Sequence, residues 1–320
     1  MYMFKYIMKR IGLMLMTFCI IMVMCFILIK LLPIVITVQI GQDADILRAQ
    51  LEARGYYDPI FVQFINYLRR IFLFGDFGIG VNMPEFRNQP VWDVFVTQLP
   101  PTVLINVYSS LFAVPLGLGL GIYAALRKNK WQDHTISTLV MVLISVPSYV
   151  TAFLLQYLIC FRWDLLPLTM ASGYDYFTWD MFKSMLPAVL AMSFGSIAGY
   201  CRFTRAELTE VLTGEYLLLA RTKGLTKRQS IFRHALRNAM VPIFPMIIGE
   251  FISVLSGSLI LEQIFAIPGV GRLYLKAINS LDYDFFMLLS GFYTFIGLAA
   301  GIVIDISYGF IDPRIRMGAK

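Results

Sequence analysis

The 320-residue sequence has little charge: Asp, Glu, Lys and Arg make up 15% of it, against 58% hydrophobic residues. Several uncharged runs reach the ~20 residues that a helix needs to cross a bilayer, a pattern a soluble core of this size has no use for. The apolar/polar alternation of membrane strands is missing, which removes a β-barrel. Only two histidines occur, His134 and His234. They are too few and too separated for a metal site, and neither is placed for a Ser/His constellation within a span. Cys19, Cys25, Cys160 and Cys201 lie in or at the ends of apolar runs without metal-type spacing and read as small buried hydrophobes. No GxxxxGK[ST] phosphate loop is present, so the chain is not expected to be an enzyme that binds or hydrolyses ATP itself. The net charge of +7 is first explained by the positive-inside bias of membrane proteins, not by a nucleic-acid partner.

What remains is an all-α polytopic membrane protein. Lys5, Lys9 and Arg10 precede an apolar run over 11–29 that is too long for a signal peptide and has no cleavage site after it, predicting an uncleaved first helix within residues 1–32. Residues 33–101 turn polar, with Asp43, Arg48, Arg54, Arg69 and Arg70, and read as an external cap segment. Within it 60–73 has the spacing of an amphipathic helix at the membrane surface. The second span is expected over 102–126, where Gly117, Gly119 and Gly121 permit close helix approach. A third over 135–161 should kink at Pro147. Further spans are expected over 184–201, 241–261 and 285–306, giving a five-helix core over 102–320 and six transmembrane helices in all. Lys and Arg cluster in the segments that this topology places inside, with both termini cytoplasmic. Glu250 falls within the fifth span, where a carboxylate is expensive, and is a candidate for lining a pathway; a helix-packing hydrogen bond is the simpler reading.

The long cationic block between spans, 202–240, stands apart. Gly214 precedes a short helix from Glu215 to Lys223, which Gly224 ends. Tyr216, Leu217, Leu218, Leu219 and Ala220 wrap most of that helix in apolar surface, which suits insertion into a groove on another protein. After Leu225, Thr226 and Gln229 can form a capping box for a second helix. There Ile231, Phe232, Ala235, Leu236, Ala239 and Met240 share one face.

Ala220-Arg221-Thr222-Lys223-Gly224-Leu225, then His234-Ala235-Leu236-Arg237-Asn238-Ala239 and Pro242, resemble the cytoplasmic coupling loop of ABC importer permeases of the oligopeptide, dipeptide and nickel branch. The stretch from Leu261 to Leu273, LEQIFAIPGVGRL, resembles the family's motif before its last span. Asp312-Pro313-Arg314-Ile315-Arg316 resembles its C-terminal signature. Shorter matches at Gly55 to Pro59, Gly75-Asp76-Phe77-Gly78, Leu99-Pro100-Pro101-Thr102, Ser145-Val146-Pro147 and Leu166-Pro167 fall in the expected order. Two departures are local: Pro33-Ile34-Val35-Ile36 stands where many members have Pro-Gly-Asp-Pro, and Asp284 follows Tyr283 where a proline is common.

The resemblance implies the type I importer permease architecture and a bacterial cell (cytoplasmic) membrane location. It implies a heterodimer with a second homologous permease, two cytoplasmic ATPases that bind the ATP and Mg, an extracytoplasmic substrate-binding protein, and membrane lipid around this chain. Peptides are the leading substrate and nickel or metal chelates the alternative. The coupling residues would be Glu215, Tyr216, Leu217, Leu218, Leu219, Ala220, Lys223, Gly224 and Leu225, with Leu217 to Ala220 docking in the ATPase. From another class, an ATP-independent secondary transporter would show an internal repeat with broken helices in matching positions, and no such repeat is visible.

Overall fold

The computed structural model describes residues 2–32, 44–53, 55–173 and 175–311. The expectations for residues 33–36, Asp43, Arg54 and the 312–316 signature lie outside those residues. Among the described residues regular structure is helical, and extended pairing is limited to the isolated bridges Ile79 to Pro90 and Gly80 to Arg87. Four helices are long and apolar enough to cross a membrane: Lys5–Leu31, Val91–Leu126, Trp179–Leu212 and Tyr283–Gly309. Two bent pairs, Trp131–Ser145 with Ser148–Arg162 and Lys227–Ala239 with Ile243–Ser253, bring the number to six if each pair is one span. The chain divides into two compact units.

The first unit comprises Met1–Pro100 and Pro268–Ala299. It holds α1 (Tyr2–Leu31), α2 (Ala44–Ala53), α3 (Ile60–Phe74) and the first turns of α4 (Val91–Leu126). That helix begins eleven residues before the expected second span and runs through Pro100 and Pro101. Prolines remove ladder hydrogen bonds, but Val91, Val94 and Phe95 are buried in a core with Leu273, Phe285 and Leu289, and this burial holds the early turns helical. The helix α3 ends at Gly75, left-handed at φ 63°, whose N–H returns to the carbonyls of the last turn.

Two acidic side chains organise the polar half of this unit. Oδ2 of Asp282 accepts the backbone N–H groups of Val81 (2.8 Å), Asn82 (2.7 Å) and Met83 (3.3 Å). Burial pushes the Asp282 carboxyl above its usual range, against the pull of those donors. Asp284, at the family's proline position, accepts from Arg70 (3.1 Å) and from the N–H of Ile79 (3.3 Å). Gly78, at φ 93°, has no room for a Cβ, which would collide with the Asp284 carboxylate.

The second unit comprises Pro101–Ile267 and Ala300–Lys320. After α4 come α5 (Trp131–Ser145) and α6 (Ser148–Leu155), whose continuation through Gln156–Arg162 is wound as a π-helix. The expected kink is a 102° bend at the Ser145–Ser148 break, where Pro147 supplies no N–H to continue the ladder. The helix α7 (Trp179–Leu212) is capped by the Thr178 hydroxyl, which accepts from the Met181 N–H. It outruns the expected 184–201 span because Thr204 and Leu208 are fully buried, so part of the cationic block is an extension of the span.

Of the three glycines of α4, Gly117 and Gly121 face α7. A Cβ on Gly117 would meet Tyr200 Cβ at 2.7 Å, and one on Gly121 the Cys201 carbonyl at 2.7 Å. Gly119 lies off that face, with nothing within 4 Å, so the small-xxx-small spacing of 117 and 121 makes the contact. The expected fifth span over 241–261 is broken into α11 (Ile243–Ser253) and α12 (Leu259–Ile264), counting from α8 to α10 in the coupling block below. Gly257, at φ 62°, turns the chain, and the Ser258 hydroxyl caps the next helix. At this turn the buried Glu262 accepts a hydrogen bond from Thr102 (3.0 Å).

Candidate functional site: a two-faced coupling segment

The segment after α7 forms α8 (Glu215–Thr222), α9 (Lys227–Ser230), a π-turn over Ile231–Ala235, and α10 (Leu236–Ala239). Gly214 opens α8 in extended backbone, and a Cβ there would meet the Tyr216 ring at 2.8 Å. The stop signal reads as expected: Gly224 is left-handed at φ 90°, and the Leu225 N–H reaches back to the Ala220 carbonyl at 3.3 Å. Nothing lies within 4 Å of where its Cβ would be, so the backbone and not the space requires glycine. The Thr226 and Gln229 capping box is formed in both directions, at 3.2 and 3.0 Å.

The apolar wrap of α8 divides into two faces. Leu217 is buried in this chain's own core, against Ala125, Leu208, Ala235 and Ala239, and Ala220 is buried as well. Their three-residue spacing puts both on the inner face, so they are not free for a partner, which corrects the expectation that all of Leu217 to Ala220 would dock. Leu218 (65% exposed) and Leu219 (57% exposed) project outward with Tyr216, and Glu215 and Lys223 are also exposed. A second correction concerns Phe232, which is 55% exposed and lies beside the Arg228 guanidinium. The wider π-turn rotates it off the stripe of Ala235, Leu236, Ala239 and Met240.

Two polar links tie the segment's supports together. Asp133, 1% exposed, takes a bidentate ion pair from Arg205 of α7 (2.5 and 2.8 Å) and accepts from the backbone N–H of Asn129, joining the turn before α5 to α7. No local pattern marks this pair, since the two residues lie 72 apart in the chain. Glu250 of α11 accepts from the Ser196 hydroxyl of α7 at 2.9 Å, while the Tyr200 hydroxyl donates to the Met246 carbonyl at 3.2 Å. Glu250 is half-buried and therefore makes the helix-packing bond.

The family profile described as "Binding-protein-dependent transport system inner membrane component" matches residues 117–317. The dipeptide transport system permease protein DppB of Bacillus subtilis is 33% identical over 99% of both chains. The oligopeptide transport system permease protein OppB of Salmonella typhimurium is 30% identical over 84% of this chain and 85% of its own. The glutathione transport system permease protein GsiC of Salmonella choleraesuis is 29% identical over 98% and 99%. An amino acid ABC transporter structure matches at TM-score 0.51 and 18% identity, over 68% of this chain and 94% of that one, which agrees in fold. The exposed face of α8 lies inside the matched residues, and by the family match and these relatives the chain belongs to the binding-protein-dependent transport system inner membrane components, as a membrane-embedded permease subunit of the oligopeptide/dipeptide ABC type.

Proposed function

We propose that this chain is one of two related permease subunits of an ATP-driven importer of di- and oligopeptides in a bacterial cytoplasmic membrane, with both termini on the cytoplasmic side. The names of the DppB and OppB relatives support the substrate class. Two separate ATPase subunits would bind and hydrolyse ATP, and an external binding protein would deliver the peptide. The observation that carries the coupling role is the outward face of α8: Tyr216, Leu218 and Leu219 stand exposed on a helix whose other face is fixed in the core.

Mechanically, a force on that face would reach α7 and α4 through Leu217, packed with Leu208 and Ala125, because close-packed interiors transmit displacement instead of absorbing it. Gly224 sets the reversal into α9, and the Asp133 to Arg205 pair makes α5 follow α7. The segment continues through α10 and Pro242 into α11 after a 56° bend, where Glu250 is bonded to Ser196. Displacement of α8 would thus shift α7 and α11 together, and Glu250 would meet the pathway as that contact loosens.

The test is co-expression with the neighbouring subunit genes, purification in mild detergent, native mass determination and an ATPase assay. The expected result is one copy of this chain, one related permease and two ATPases, with hydrolysis stimulated by binding protein loaded with peptide. An isolated chain without ATPase would overturn the coupling reading. Stimulation by a nickel chelate and not by peptide would overturn the substrate.

A further inference from the structure

The first unit contains a cavity of about 610 Å³ that the transport reading does not use. It is built where the end of α1 and the start of α14 (Tyr283–Ile311) meet α3, with Phe26 and Lys30 from the first, Tyr283 and Met287 from the second, and Tyr67 and Arg70 from the third. α1 ends its apolar run at Leu31 and α14 begins its own at Tyr283, which by length and composition would put the cavity at one boundary of the membrane, at the level of lipid headgroups. Tyrosines concentrate at that depth, and three of them, Tyr56, Tyr67 and Tyr283, line this cavity. On α3, Phe61, Phe72, Leu73 and Phe74 are strongly exposed, as on a helix lying in the interface.

The lining carries both signs of charge. The Lys30 ammonium sits 4.3 Å from the ring centroids of both Tyr56 and Tyr283, an aromatic seat that fixes a cation at the wall. Arg69 adds a second cation, while Arg70 is held by Asp284. Opposite charges come from Glu52, Asp58 and Asp76. Phe26, Phe74 and Met287 supply apolar wall beside these groups.

We propose that this cavity seats a zwitterionic phospholipid headgroup, its phosphate at Lys30 and Arg69 and its ammonium at Glu52 and Asp58, with the acyl chains leaving past the exposed Phe74. A purely anionic lipid would leave those carboxylates facing like charge, and a neutral glyceride would leave the lining charges of both signs unmatched. Basic pockets beside membrane helices commonly take lipid phosphates; the carboxylates here set the preference for an amine.

The experiment uses the intact complex with its partner subunits, delipidated and titrated with phosphatidylethanolamine or phosphatidylglycerol under native mass spectrometry. A photoactivatable phosphatidylethanolamine marks the site. The expected result is one ethanolamine lipid held at least tenfold more tightly than phosphatidylglycerol, with cross-links to peptides of α3. Lys30→Gln with Arg69→Gln should weaken it about tenfold. Glu52→Gln with Asp58→Asn should abolish the preference between the two lipids while some binding remains. Complex assembly and melting temperature control for folding, and the second pair, on the surface of the cavity, is expected to assemble normally. Equal retention by wild type and both variants, preference for phosphatidylglycerol, or displacement of the bound lipid by a free peptide would each overturn the assignment.

Discussion

At Gly224 the demand is made by the backbone alone: φ is 90° and the space beyond is open. Replacing it with Ala or with Trp should therefore cost a similar amount, about 1–2 kcal/mol of local strain, while Asn, which tolerates that region, should be milder. Peptide uptake per ATP hydrolysed should fall in the order Asn, then Ala and Trp together; a Trp variant with normal uptake would refute the reading. The Asp133 to Arg205 pair makes a different demand. Asp133 is buried and Arg205 keeps solvent contact, so Arg205→Ala should cost roughly 2–4 kcal/mol, below the full penalty for orphaning a buried charge. Detergent melting curves would measure the loss, and Lys at 205 should restore only part of it, lacking the two-pronged geometry. The sequence announced Gly224 because the signal is local, a glycine after a cationic helix end. It was silent on Asp133 because that pairing is made by the fold.

For the short helix α8, one side is buried in the permease and the other is exposed, the side proposed to meet a partner. Leu217→Ala should destabilise the chain by about 2–4 kcal/mol through a cavity beside Leu208 and Ala125. Leu218→Asp and Leu219→Asp should leave melting unchanged and release the ATPases, which co-purification measures directly. The opposite pattern, with Leu217 indispensable only for ATPase binding, would invert the two faces. Periodicity alone could not divide them: with apolar residues at five consecutive positions, the inner face is chosen by what lies against it. The same limit hid the turn of Phe232 outward, since a π-turn changes the period from within. By contrast the capping box, the α3 helix and the break at Pro147 were legible, each written by a few neighbouring residues with one physical consequence.

Across the whole molecule, hydropathy identified the apolar stretches but misjudged where their helices end. The early start of α4 and the late end of α7 are fixed by buried Val91 and Leu208, residues that look unremarkable in a composition window. Cysteines introduced at exposed positions on α8 and in the 33–101 segment should react with membrane-impermeant reagents from opposite sides of the proposed topology, Leu218→Cys from within and Gln89→Cys from outside; labelling from the same side would overturn the orientation. One further property follows from the 102° bend between α5 and α6. Fifteen residues rise only about 22 Å, short of the ~30 Å hydrocarbon layer, so neither arm can match a bilayer on its own. At this span protein and lipid length fit poorly. Reconstituted into membranes of graded acyl-chain length, the transporter should work fastest in the thinner ones, making bilayer thickness itself a regulator of its turnover.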